Sequence, residues 1–214
     1  MTFAAAIDDA RLTVLLDVRH PFSYLAFHPT VALGQSMGVP IQWLPITAPP
    51  LNAPSTPREN DDRGVRHRRY RAEAIAREIE TYAEAQGLVI RDPYRDGSAG
   101  VANLGWLWAR DRHPDRLKPY LAELLRGYWA AELDPDEAEA VGKCLAAAGI
   151  DPGGFREWAD GPGPGVAGDL AAELQERGLY GTPAFLVENE VFYGRQHLPM
   201  IRWILEGRRG RGPI

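Results

Sequence analysis

Leu12-Thr13-Val14-Leu15-Leu16-Asp17-Val18-Arg19-His20-Pro21-Phe22-Ser23-Tyr24-Leu25-Ala26 reads as a hydrophobic strand that passes, through a short polar turn, straight into a helix. The run 12–16 is apolar apart from one threonine and too short for a helix, as a strand in the middle of a sheet requires. Pro21 suits the first helical position, where its missing N–H removes no hydrogen bond. The helix is expected over 22–37, bent or split at Pro29, and closed by Gly38. Residues 39–45 then supply a second strand, and a strand-helix-strand unit of this length is right-handed and parallel.

A second segment, far away in sequence, complements the first. Gly178-Leu179-Tyr180-Gly181-Thr182-Pro183 leads into the strand Ala184-Phe185-Leu186-Val187 and the return strand Val191-Phe192-Tyr193-Gly194. The turn lies at Glu188-Asn189, with Asn189 suited to left-handed backbone angles. A helix is expected over 197–206, followed by a frayed Arg- and Gly-rich tail.

Between these ends the pattern changes. Residues 47–60, with Pro49, Pro50, Pro54 and Pro57, form a long loop without regular structure, and such loops in compact domains often serve function. From residue 61 to 178 the pattern is helical almost throughout. Helices are expected over 66–86, 100–110, 114–131, 135–148, 152–160 and 165–177, each junction marked by proline or glycine. The basic run Arg63, Arg66, His67, Arg68, Arg69 and Arg71 is read as a solvated helix face with i,i+4 pairing to the glutamates beyond it. Trp106 and Trp108, two apart on one helix, cannot share a face, so at most one is a pocket candidate.

The two end segments together resemble the thioredoxin-like folds of the DsbA superfamily. The match is closest to 2-hydroxychromene-2-carboxylate isomerases and kappa-class glutathione transferases. Those families carry an acid-terminated strand followed by Ser-Pro-(Phe/Tyr)-Ser-Tyr-Leu-Ala, and a late Gly-Val-Pro-Thr-Phe with a cis-proline. The resemblance covers residues 12–206, strongly at the ends and weakly through the middle. It implies an α/β, thioredoxin-like fold with a large all-helical insertion: residues 11–60 and 179–214 form the split thioredoxin-like domain, and 61–178 the helical insertion subdomain.

A helix N-terminus stabilises an anion placed against it, and in this fold type the anion is usually a thiolate. Here His20 and Ser23 stand where dithiol oxidoreductases carry Cys-x-x-Cys, so dithiol chemistry is excluded. His20 replaces the family's catalytic serine and could accept the thiol proton of glutathione, or simply fill the helix start. Ser23 could inherit the serine's contact with sulfur, or bond to backbone. The resemblance implies a cis Thr182–Pro183 bond, with Thr182 pairing the cysteinyl backbone of glutathione as an added strand would.

The resemblance also implies that Asn52 and Arg58 reach polar groups of glutathione. The family's Trp-Gly-x-Asp-Arg-Leu becomes Tyr193-Gly194-Arg195-Gln196-His197-Leu198, so Gln196 replaces the acid that holds the γ-glutamyl ammonium. Arg195 beside it could favour a carboxylate. The activity implied is glutathione-dependent isomerisation or transfer on an aromatic or unsaturated carboxylate, the isomerisation proceeding by reversible thiolate addition, bond rotation and thiol expulsion. Two alternatives stay open: a non-catalytic DsbA-like binding protein, and a glutathione-independent enzyme using His20 as base. The families' habit implies a homodimer.

Composition narrows the classes further. With 29 acidic against 24 basic side chains the formal charge is −5, which speaks against a general nucleic-acid binder. No apolar run approaches the ~20 residues of a membrane span, and the N-terminus lacks a basic leader, so a cytoplasmic location without membrane partners is expected. The histidines at 20, 28, 67, 113 and 197 show no metal-ligand spacing, so no metal is expected. The single cysteine, Cys144, is read as a small buried apolar residue.

Overall fold

The computed structural model describes residues 2–58 and 60–213. Four strands form one mixed sheet: β1 (Leu12–Leu16), β2 (Gln42–Pro45), β3 (Ala184–Val187) and β4 (Glu190–Tyr193), in the order β2-β1-β3-β4. β1 runs parallel to β2 and antiparallel to β3, and β3 runs antiparallel to β4. Every residue of β1 is buried because helices cover both faces of the sheet, which is why its sequence is almost continuously apolar. β4 is an edge strand, and its Val191 and Tyr193 reach solvent. This is the thioredoxin-like arrangement that the end segments imply.

A short helix, α1 (Phe3–Asp8), precedes the sheet, its first turn closed by Ala5 N donating to Thr2 Oγ1. It was not anticipated, because six residues are too few to display a helical period.

The crossover helix α2 (Pro21–Met37) runs unbroken through Pro29, where a break or bend was expected. Pro29 lacks an N–H, so the carbonyl of Leu25 loses its partner within the helix. Gln86 Nε2, from the next helix, donates to that carbonyl at 3.2 Å, and Thr30 Oγ1 donates to Ala26 O at 2.7 Å one position on. The missing hydrogen bond is thus replaced from outside. Gly38, with φ of 61°, ends the helix in the left-handed conformation that glycine tolerates best.

The long helix α3 (Arg63–Gln86) starts where Asp62 Oδ1 accepts from Val65 N at 2.8 Å. Its basic cluster is mostly exposed. Among the described residues the ion pair it makes is Arg69 with Asp61, before the helix, and not an i,i+4 pair along it.

The following helices are α4 (Gly100–Arg112), α5 (Leu117–Trp129), α6 (Ala138–Ala147), α7 (Phe155–Asp160) and α8 (Gly163–Glu176). α4 is central, touching the other four and β2. Successive residues of α4 serve opposite sides. Trp106 joins a core shared by Val14, Trp43, Tyr120, Tyr128 and Phe185, while Leu107 joins Leu15, Leu44, Leu174 and Ala184. The apolar core therefore runs continuously from the sheet into the helices. Trp106 donates to Trp43 O at 3.3 Å and Trp108 packs against Phe155 and Trp158, so both tryptophans are packing residues.

The C-terminal end closes with a 3-10 turn at Arg195–His197 and α9 (Leu198–Leu205). In the hairpin the left-handed residue is Glu188, with φ of 52°, not Asn189. The tail is tied back rather than frayed. Arg208 pairs with Glu188 and Glu190 across the hairpin turn, and Trp203 Nε1 donates to Arg209 O at 3.1 Å.

α4 fits so closely because Gly105 lacks a side chain. A methyl there would collide with the Tyr120 hydroxyl and lie 2.6 Å from Val141 Cγ1. Gly105→Ala is expected to lower stability by about 1–3 kcal/mol through overpacking, despite alanine's better helix propensity; urea unfolding measures the change.

Candidate functional site

The site forms where β1 ends, α2 begins and the chain enters β3. Asp17 follows the last residue of β1 and is 2% exposed. Its carboxylate accepts from Arg19 N (2.9 Å), Arg19 Nε (3.1 Å), Arg19 Nη2 (2.8 Å) and Ala48 N (2.8 Å). Arg19 also donates to Ala48 O at 3.1 Å and Gly97 O at 3.0 Å. One buried ion pair thereby fixes the start of α2, the loop after β2 and the segment leading into α4. The sequence reading noted Asp17 only as a strand end and passed over Arg19. A charged residue directly after a wholly apolar strand was the available signal, since a buried carboxylate needs a partner.

The Asp17 N–H lies between two hydroxyls, Ser23 Oγ at 3.1 Å and Thr182 Oγ1 at 3.0 Å, which are themselves 2.8 Å apart. Thr182 Oγ1 also lies 3.3 Å from Leu15 O. Ser23 is wholly buried. These contacts occupy its hydroxyl in joining β1, α2 and the Thr182 turn, and they direct it into the protein.

The Thr182–Pro183 bond is cis. Thr182 lies beyond the last ladder pair of β3, Leu15 with Ala184, and Pro183 O accepts from Gly194 N at 2.9 Å. The Tyr193 ring covers Gly181, where an added methyl would lie 2.7 Å from it, and stacks on Tyr180 at 5.6 Å. Tyr180 is 71% exposed, so an aromatic surface flanks the turn.

His20 is the N-cap residue of α2 but makes no capping hydrogen bond. Its Nδ1 is buried without a partner among the described residues, and its ring lies 5.7 Å from that of Phe22. Burial pushes the imidazole below its ordinary pKa; the Asp17 carboxylate opposes the shift and Arg19 adds to it. His20 is therefore a neutral proton acceptor at neutral pH, placed at the positive end of a helix.

Arg58 is exposed, with its N–H bonded to Asp61 Oδ2. Asn52 borders a cavity of about 550 Å³ with Arg68, Arg71 and Tyr94. The guanidinium of Arg195 lies 3.4 Å from the centroid of the Tyr82 ring on α3, which holds it by a cation–π contact. Gln196 Nε2 donates to Tyr193 O at 3.1 Å. The structure thus joins Ser23 and Thr182 by hydrogen bonds, with His20 at the start of the same helix; the turn that carries Arg195 and Gln196 packs against α2, and Asn52 and Arg58 are exposed. Cys144 is buried in α6 with its thiol pushed up to about 12, an inert packing residue. No helix among the described residues is long and apolar enough to cross a membrane, and none of their His, Cys, Asp and Glu side chains gather in threes as a metal site would require.

The DSBA-like thioredoxin domain family matches residues 11–206. The chain belongs to this family. A 2-hydroxychromene-2-carboxylate isomerase of Sphingobium xenophagum is 23% identical over 190 residues, covering 86% of this chain and 92% of that protein. A solved 2-hydroxychromene-2-carboxylate isomerase superposes with a TM-score of 0.70 at 18% identity, covering 94% of each chain. The cytosolic disulfide reductase DsbM of Pseudomonas aeruginosa, solved with GSH, gives 0.62 at 18% identity over 92% of this chain and 98% of that one.

The network at Asp17 carries two expectations. Asp17→Ala strands the Arg19 guanidinium and the Ala48 N–H, and should cost about 3 kcal/mol in urea unfolding. Ser23→Ala removes one hydroxyl while Thr182 still accepts from Asp17, and should cost about 1 kcal/mol in the same measurement.

Proposed function

We propose that this DSBA-family protein is a glutathione-dependent isomerase or transferase acting on an aromatic or unsaturated carboxylate, with His20 in place of the serine of the resembled enzymes. The observation that carries the reading is the unpartnered, neutral imidazole of His20 at the start of α2, in the same site as the cis Thr182–Pro183 turn. A glutathione-type ligand suits these residues. Main-chain groups of Thr182 lie outside the described strand ladder and suit an extended peptide, and Nε2 of His20 suits a thiol proton. When bound, glutathione supplies a sulfur nucleophile that adds to an unsaturated carbon and can be expelled again.

The protein's own residues then have separate tasks. His20 holds the thiol proton at Nε2, and the positive end of α2 favours the resulting sulfur anion. The positive helix end also disfavours an imidazolium, so the protonated histidine depends on that anion for its stability. Ser23 and Asp17 act indirectly, by fixing the helix start against the Thr182 turn. The stacked pair Tyr180 and Tyr193 offers a flat apolar face to an aromatic substrate.

A second reading is favoured by one specific feature. Gln196 is neutral where the resembled enzymes carry an acid, and Arg195 is held on Tyr82, so the site offers less charge to a zwitterionic peptide. A non-catalytic DsbA-like binding protein is the alternative this supports.

Calorimetric titration with glutathione separates the two. On the first reading affinity is highest from the lowered pKa of His20, below the ordinary histidine value, up to about pH 8.5, the ordinary value of a thiol. Below this window His20 is already protonated and complex formation must release a proton; above it glutathione is ionised and the imidazole must take one up. His20→Ala should weaken binding about tenfold or more and flatten the profile. No heat from wild type at millimolar glutathione would remove the glutathione-dependent reading and leave the binding protein or a glutathione-independent enzyme.

A further inference from the structure

The helix α3 buries one side, with Arg69, Ala72, Ile79 and Ala83, and leaves the rest of its surface to solvent. On the solvent side Arg66, Tyr70, Glu73, Arg77, Glu80 and Glu84 follow one another in steps of four and three, so they form one straight stripe along the helix. Glu73 is half-buried and the other five are exposed, Tyr70 at 59%. Among the described residues the ion pair made by this helix is Arg69 with Asp61, so the five charges of the stripe are unspent.

The order of signs in this stripe is its own complement when the helix is turned end for end. With a second α3 laid antiparallel and the two-fold axis level with Ile75, Arg66 meets Glu84, Glu73 meets Arg77 and Tyr70 meets Glu80, each pair occurring twice by symmetry. The tyrosine hydroxyl donates to the carboxylate it meets, and its exposed ring supplies apolar contact. A parallel arrangement would set Arg66 on Arg66 and Glu84 on Glu84, so like charges exclude it. We propose that this side of α3 is an interface to a second copy of the chain, docked antiparallel along about 27 Å of helix. Exposed ion pairs each contribute little and are screened by salt, so the association is weak, reversible and salt-dependent. The interface does not depend on glutathione being the cofactor.

Sedimentation velocity of the full chain, from about 1 to about 500 μM protein, tests the interface. Wild type should dimerise at about 0.05 M salt and weaken about tenfold or more at about 1 M, where the Debye length is about 3 Å. Arg66→Glu and Glu84→Arg should each weaken the dimer about tenfold or more, although they move the net charge in opposite directions. The double variant Arg66→Glu with Glu84→Arg remakes the pairs with their signs exchanged, and should return the dimer to within about threefold of wild type. Arg71→Glu makes the same change of net charge as Arg66→Glu on another side of the helix, and should leave the dimer within about threefold. Acid toward the start of α3 and base toward its end suit the helix dipole, so unfolding does not mimic the loss in either single variant. Wild type that stays monomeric at about 500 μM in low salt, a dimer indifferent to Arg66→Glu, one weakened as much by Arg71→Glu, or a double variant as weak as the single ones would overturn the interface.

Discussion

The buried carboxylate of Asp17 is the constraint on which the site depends. A charge that is 2% exposed must be fully hydrogen-bonded, and here the partners come from Arg19 and from Ala48 in the loop beyond β2. Arg19 extends the tie to Gly97, ahead of α4. Three segments that no sheet hydrogen bond joins are thereby held in one geometry. The Asp17 main chain completes it, since its N–H is shared by the two hydroxyls that lock α2 to the Thr182 turn. The helix end and the cis bond can face each other only because this small polar core is satisfied throughout.

Within that frame His20 stands where the resembled families carry a serine or a cysteine, at the start of α2. A helix N-terminus favours an anion and disfavours an imidazolium, and burial disfavours the imidazolium further. His20 thus waits as a neutral acceptor, whereas a cysteine at the same place would carry the anion itself. The Ser23 hydroxyl, by contrast, is spent on structure. Proximity in sequence placed both residues at the helix start, but only the packing around each separates an unpartnered nitrogen from a closed hydroxyl.

Much of the fold was legible because local physics and tertiary packing agreed. The apolar run of β1, Pro21 at the helix start, Gly38 and Gly87 at helix ends and Asp62 at the start of α3 each carry a signal confined to a few residues. Pro29 did not split α2, since the carbonyl it leaves free is met by Gln86, whose side chain arrives from another helix 57 positions further along the chain than Pro29. The tail misled, because glycine and arginine suggest fraying while Arg208 finds two carboxylates on the hairpin.

What the sequence by itself determined is the order of the strands and longer helices, the parallel β1–β2 unit and the lack of a Cys-x-x-Cys pair, all of which follow from residue type and short-range pattern, while the family resemblance supplied the pairing of His20 with Thr182–Pro183. The tertiary structure alone decided how these side chains are partnered. Arg195, in a turn packed against α2, is held by Tyr82; Ser23 is sealed inside; and Arg19, unremarked in the sequence, ties three segments together. Orientation and partnership are set by contacts between residues far apart in the chain, and no local pattern encodes where such residues meet.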